Sequence, residues 1–135
     1  MRLLLRTVNH AIESEKSEDI QLPEELTIEH ILPQNWQQHW PLPEMEEAEK
    51  AKATHRRDHL KHTLGNLTLL TKKLNPSVSN SAWTTKRPEI TKQSKLNLNR
   101  EFYTVSEWTE QQIEERGKRF VDILLKIWPR NEESI

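Results

Sequence analysis

The chain has no cysteine. That excludes a disulfide framework, a thiolate nucleophile and any cysteine-based zinc site, and it fits a reducing cytoplasm. Apolar residues make up only 33% of the sequence, and no run of them approaches a membrane span. Met1-Arg2-Leu3-Leu4-Leu5 is too short for the apolar stretch of a secretion signal. Internal repeats and low-complexity segments are also lacking. The expectation is a cytoplasmic, strongly hydrated protein whose core comes from a few well-placed residues. Five tryptophans would be its largest pieces, since each buries a large area.

A length of 135 residues suits one domain with a real core and not two ordinary ones. An apolar helical pattern begins almost at the first residue, which gives the look of a piece cut from a longer protein. The net charge of −1 hides an asymmetry. Positions 13–49 hold eleven acidic residues against one basic, Lys16, whereas positions 50–100 hold twelve basic residues against two acids, Asp58 and Glu89. Two readings stay open. The basic block is the footprint of a polyanion, or the two blocks pair with each other in the fold.

Leu3, Leu4, Val8, Ala11 and Ile12 recur at helical spacing and predict a helix over 2–15. Positions 26–32 alternate and read as a short strand ended by Pro33, with a proline-rich loop behind it in which Trp36 and Trp40 cap the core. A helix is expected from Pro43 to Leu60 or Thr63, stopped by Gly65. Positions 66–70 form the second strand. A helical turn interrupted at Pro76 follows, then a helix capped by Asn80 or Ser81 that runs through Trp83 and Lys86. Positions 93–105 read as irregular. Thr109-Glu110-Gln111-Gln112 is a capping box that opens the last helix, stopped at Trp128 by Pro129.

Two segments carry chemistry: Ile28-Glu29-His30-Ile31-Leu32-Pro33, and Gly65-Asn66-Leu67-Thr68-Leu69-Leu70 followed by Asn75. Phosphodiester hydrolysis needs a base for water, neutral imidazole being suited because its ordinary pKa of about 6.5 lies near working pH. It also needs charge neutralised on the phosphoryl group and on the leaving oxygen, which one divalent cation can do. A carboxylate and an amide oxygen are adequate ligands for Mg²⁺, which keeps several waters. Glu29 and His30 are adjacent, so on an ideal strand they point to opposite faces. They can serve one site only if the strand ends or bulges there.

Glu-His-Ile-x-Pro, then Gly-Asn-Leu, then Asn, resembles the HNH nucleases, the ββα-metal or His-Me finger. Thr27-Ile28-Glu29-His30-Ile31-Leu32-Pro33-Gln34, Leu64-Gly65-Asn66-Leu67-Thr68-Leu69-Leu70-Thr71, Leu74-Asn75, Ser79-Asn80, Trp83-x-x-Lys86 and the terminal Trp128-Pro129 are similar to the C-terminal domain of GmrSD-type modification-dependent restriction enzymes. The resemblance covers about 25–130 within a single domain of 1–135. It implies an α+β, mostly α fold in which a short two-stranded antiparallel ribbon plus helix is surrounded by helices.

It also implies roles. His30 would be the general base, Glu29 and Asn75 the ligands of Mg²⁺ or Mn²⁺, and Asn66 the residue that positions the His30 loop, or else a cap after Gly65. Glu29 stands where the wider family commonly has Asp. His62 would buttress the site or touch phosphate. Asn80 is a further matched position or a helix N-cap, and Lys86 a phosphate contact or solvated surface. Lys72, Lys73, Lys86, Arg87, Lys92 and Lys95 flank the site in sequence, and part of this set is expected to line a DNA groove. His55 and His59 have metal-ligand spacing without an evident third ligand. The implied activity is endonucleolytic cleavage of DNA in restriction or anti-phage defence. An N-terminal NTP-hydrolysing or modification-sensing domain would control it, with no membrane involved. The alternative is a non-catalytic nucleic-acid-binding module that retains the fold.

Overall fold

The structure is a computed structural model that describes residues 1–14, 25–93 and 95–129. Helix α1 (Arg2–Ser14) leads to strand β1 (Thr27–His30), then to α2 (Glu47–Leu60). A 3-10 turn (Leu64–Asn66) runs directly into β2 (Leu67–Leu70). Next come α3 (Pro76–Ser79), α4 (Trp83–Thr91), α5 (Asn97–Arg100), a 3-10 turn (Glu101–Thr104) and α6 (Glu110–Ile127). The two strands pair antiparallel, with Thr27 opposite Leu70, Ile28 opposite Leu69, Glu29 opposite Thr68 and His30 opposite Leu67. This is the mostly helical, ββα-type α+β fold expected. None of the helices in the described residues is long and apolar enough to cross a membrane.

Strand β2 is buried along its whole length because both of its faces are covered. Leu67 and Leu69 face a cluster with Leu5 and Val8 of α1, Leu26, Leu96, Leu98 and Phe120. Leu70 faces the other cluster, built from Ile31, Leu32, Leu60, Leu74, Ile90, Phe102, Ile113 and four tryptophans. Trp83 is at the centre of that second cluster, its ring 5.6 Å from Phe102, 5.8 Å from Trp108 and 6.4 Å from Trp40. Trp36, Trp40, Trp83 and Trp108 are buried, but Trp128 is 51% exposed and does not serve the core.

Local chemistry explains where the elements differ from expectation. Helix α2 starts at Glu47, with Glu46 in an extended N-cap conformation, so that Glu47 and Glu49 fill the first turn, where the helix dipole favours acids. Pro76 opens α3 instead of interrupting a helix: Asn75 is the N-cap, and at the first helical position the missing proline N–H costs nothing. Asn80 is the C-cap of α3, not the N-cap of α4, and Ala82 fills the latter place. Pro88 lies inside α4. Within the stretch expected to be irregular, Asn97–Arg100 and Glu101–Thr104 form α5 and a 3-10 turn. Asn99 holds it from inside, its Nδ2 donating to the Leu69 carbonyl at 3.0 Å and its Oδ1 accepting from Thr68 Oγ1 at 2.5 Å.

The last helix begins at the expected capping box, where the Thr109 N–H donates to Gln112 Oε1 at 2.8 Å. Its inner face is not only apolar. Arg116 is fully buried, paired with Glu101 at 3.1 Å, and donates to the carbonyls of Gly65 at 3.1 Å and Leu67 at 2.5 Å. Gly65 lets α6 come this close, since a Cβ there would lie 2.0 Å from the Ile113 carbonyl oxygen. Thus α6 locks the 3-10 turn that carries Asn66.

Among the described residues, the charged blocks mostly do not pair with each other. Lys86–Glu29 is the one ion pair among the described residues joining positions 50–100 to positions 13–49; the others lie within the basic block or reach Glu101, Glu110 and Glu114.

Candidate functional site

β1 ends at His30, and the chain turns immediately afterwards. Two side chains fix that turn from opposite directions. From the 3-10 turn, Asn66 accepts from the Leu32 N–H at 2.8 Å and donates to the Leu32 carbonyl at 3.0 Å and the Lys61 carbonyl at 2.8 Å. Its Oδ1 also takes the Trp108 indole N–H at 3.0 Å, and its backbone oxygen takes the Ile31 N–H at 2.9 Å. Asn66 is fully buried, so what it positions is backbone.

From α4, Lys86 donates to the carbonyls of His30 at 2.5 Å and Ile31 at 3.0 Å, and to Glu29 Oε1 at 3.0 Å. The lysine has no exposed surface, which corrects the expectation of a phosphate contact or solvated side chain. Burial holds its ammonium below the ordinary lysine range, and Glu29 offsets this only in part. Glu29 is itself buried and also accepts from Ser79 Oγ at 2.7 Å, which ties the end of α3 to β1.

His30 is half-buried, and its ring meets that of the exposed His62 edge-on, with centroids 5.6 Å apart. Burial is the main force holding the His30 imidazole below its ordinary 6.5. His62, Lys86 and Lys61 push in the same direction, and Glu29 opposes them. That direction favours the uncharged imidazole, the form that can accept a proton.

Asn75 is exposed at the start of α3, the short helix whose last residue, Ser79, bonds Glu29. Its Oδ1 accepts from the Val78 N–H at 3.0 Å and from Ser77 Oγ at 2.6 Å. Asn80 donates from Nδ2 to the Pro76 carbonyl at 3.0 Å, closing the same short helix.

The donor set can be compared with what a small hard cation requires. Among the described residues, the hydrogen bond from Ser79 and the ion pair with Lys86 both fall on Oε1 of Glu29. The Asn75 oxygen already uses both lone pairs, and serving a metal means releasing the Ser77 hydroxyl, which is free to rotate. A cation that takes oxygen ligands and keeps several waters fits these residues, Glu29 first. His55 and His59 are exposed on α2, and among the described residues no group of three His, Asp or Glu could hold a metal.

Lys72, Lys73 and Lys92 line a groove of about 430 Å³ that also includes Leu74, Asn75 and Gln93. Gln93 shapes it by accepting on Oε1 from the N–H groups of Thr71 at 2.7 Å and Lys72 at 3.1 Å, and by donating to the Lys72 carbonyl at 2.8 Å. Arg87 is used internally, donating to the carbonyls of Tyr103 and Val105. Lys95 is exposed.

The fold thus gathers Glu29, His30, Lys86, Asn66 and His62 at one end of the ribbon, with Asn75 and the lysine groove along α3. Sequence reasoning missed Ser79, Trp108, Gln93 and Arg116 as supports. Ser79 stood inside a matched segment; nothing local links Trp108 to Asn66 or Arg116 to the turn.

Residues 1–123 match the family described as GmrSD restriction endonucleases, C-terminal domain. A search of curated proteins finds no match.

Proposed function

Because the chain belongs to the family of GmrSD restriction endonuclease C-terminal domains, we propose that it cleaves DNA with His30 as general base beside a divalent cation held by Glu29 and Asn75. The observation that carries this reading is a half-buried histidine next to a buried carboxylate at the end of a strand, with one lysine bonded to the histidine's backbone carbonyl and to the carboxylate. His30 takes the proton of the attacking water. Glu29 and Asn75 would hold Mg²⁺ or Mn²⁺, which supplies charge neutralisation for the phosphoryl and leaving oxygens. Lys72, Lys73 and Lys92 hold the backbone in the groove without reading sequence. Asn66 acts only through the backbone it fixes, and His62 borders the ring of His30. In the full-length enzyme an N-terminal NTP-hydrolysing or modification-sensing domain decides when this site is delivered to DNA, in defence against foreign DNA.

The test is incubation of supercoiled plasmid with the protein across a Mg²⁺ and Mn²⁺ titration, with EDTA as control. A single centre of this kind gives nicked circles that require the cation. Nicking that persists in EDTA would reject the metal, and DNA binding without any nicking would favour a non-catalytic binding module.

A further inference from the structure

We propose that Lys86 is a positioning residue of the nuclease site: by bending the exit of β1 it lets Glu29 and His30, neighbours in sequence, act on one phosphodiester. The inference rests on the roles given above to those two residues. In a regular strand, consecutive side chains point to opposite faces. The register agrees, since Glu29 lies opposite Thr68 and His30 opposite Leu67. Two adjacent residues on such a strand do not share a site unless the strand stops.

Lys86 marks where it stops. Consecutive carbonyls of a strand also point to opposite sides, yet those of His30 and Ile31 converge on one Nζ, at 2.5 and 3.0 Å. The third N–H of the ammonium goes to Glu29 Oε1 at 3.0 Å. One cation therefore fixes the backbone of the proposed base, the backbone of the next residue and the carboxylate of the proposed metal ligand. Asn66 shares the first part of this task, clamping Ile31 and Leu32, but it touches neither site side chain. Among the described residues, Lys86 is the one that bonds both the turn and the carboxylate, and it does so at the same Oε1 that accepts from Ser79.

A lysine suits this arrangement because three donors radiate from one compact point. An arginine keeps the charge but spreads its donors in a planar fork that does not converge on two adjacent carbonyls and a carboxylate. A methionine of similar length keeps the packing but leaves Glu29 buried without its cation.

The experiment compares Lys86→Arg, Lys86→Gln and Lys86→Met with the wild type in the full chain. Each is characterised by thermal unfolding, by the His30 imidazole resonances in metal-free NMR spectra, and by kcat and KM for plasmid nicking per folded molecule. Lys86→Arg is expected to fold, to shift the His30 resonances, and to lose about tenfold to a hundredfold in kcat while KM changes little, as misplacement of a reacting group does. A folded variant with unmoved His30 resonances and wild-type kcat would overturn the proposal, leaving Lys86 as packing alone. Failure of every variant to fold would overturn it as well, because Lys86 would then hold up the whole domain. If the wild type does not nick, the functional reading fails, while the resonances still report whether Lys86 sets the place of His30.

Discussion

Replacing Asn66 with alanine separates a structural clamp from a participant in chemistry. The side chain makes four hydrogen bonds, to the Leu32 N–H, the Leu32 carbonyl, the Lys61 carbonyl and the Trp108 indole. Asn66 is fully buried and Trp108 only 5% exposed, so water cannot freely replace the lost partner. A buried group left unsatisfied costs about 1–3 kcal/mol. With some relaxation of the turn, the four together come to about 4–6 kcal/mol. That approaches the whole stability of an ordinary domain, about 5–15 kcal/mol. At roughly 3–5 °C per kcal/mol for a chain of this size, the melting temperature should fall by about 12–30 °C. Asn66→Asp should fare little better, because its second oxygen would face the Leu32 and Lys61 carbonyls, acceptor against acceptor. Circular dichroism melts of the two variants decide the matter. A drop of less than about 3 °C with lost nicking would refute this reasoning and move Asn66 into the chemistry.

Three further outcomes are expected. Gly65→Ala should destabilise severely, since its Cβ would meet backbone of α6 at 2.0 and 2.7 Å and no side chain can yield; a normal melting curve would contradict the packing of α6 on the 3-10 turn. NMR titration of His30 in the metal-free protein should give a midpoint below 6.5, with burial the main cause and His62, Lys86 and Lys61 adding to it against Glu29. Because the folded pKa lies below the unfolded one, His30's contribution to stability is present above about 6.5 and is lost as pH falls from there towards the folded value. A midpoint above 6.5 would show that Glu29 dominates. Finally, Lys72→Gln with Lys73→Gln should weaken DNA binding uniformly across sequences and flatten its salt dependence, by a slope of about 0.7–0.9 for each phosphate contact removed; an unchanged slope in a binding assay would place the DNA elsewhere.

What was legible in the sequence followed local rules. The first strand announced itself by apolar alternation before Pro33, the second by an apolar run after Gly65, and α6 by its capping box, because each signal acts within a few residues of where it is written. Helix α5 was not legible: Asn97 and Asn99 look like surface residues, and only their burial beside β2 shows Asn99 bonding the Leu69 carbonyl. Lys86 and Arg116 failed for the same reason. Charge predicts solvent unless a partner far along the chain meets it, and Glu29 and Glu101 do so here. At the site, the Glu29-His30 pair was visible at once. The means by which a strand end could bring the two together was not, since it comes from α4, more than fifty residues later.

The central claim is that His30 is the general base. The most direct measurement is the single-turnover rate of plasmid nicking by His30→Ala relative to wild type, at saturating Mg²⁺ and with both proteins shown to be folded. Loss of a positioned base should lower the rate by about 10²–10⁴-fold. A His30→Ala protein that nicks at the wild-type rate would contradict the account.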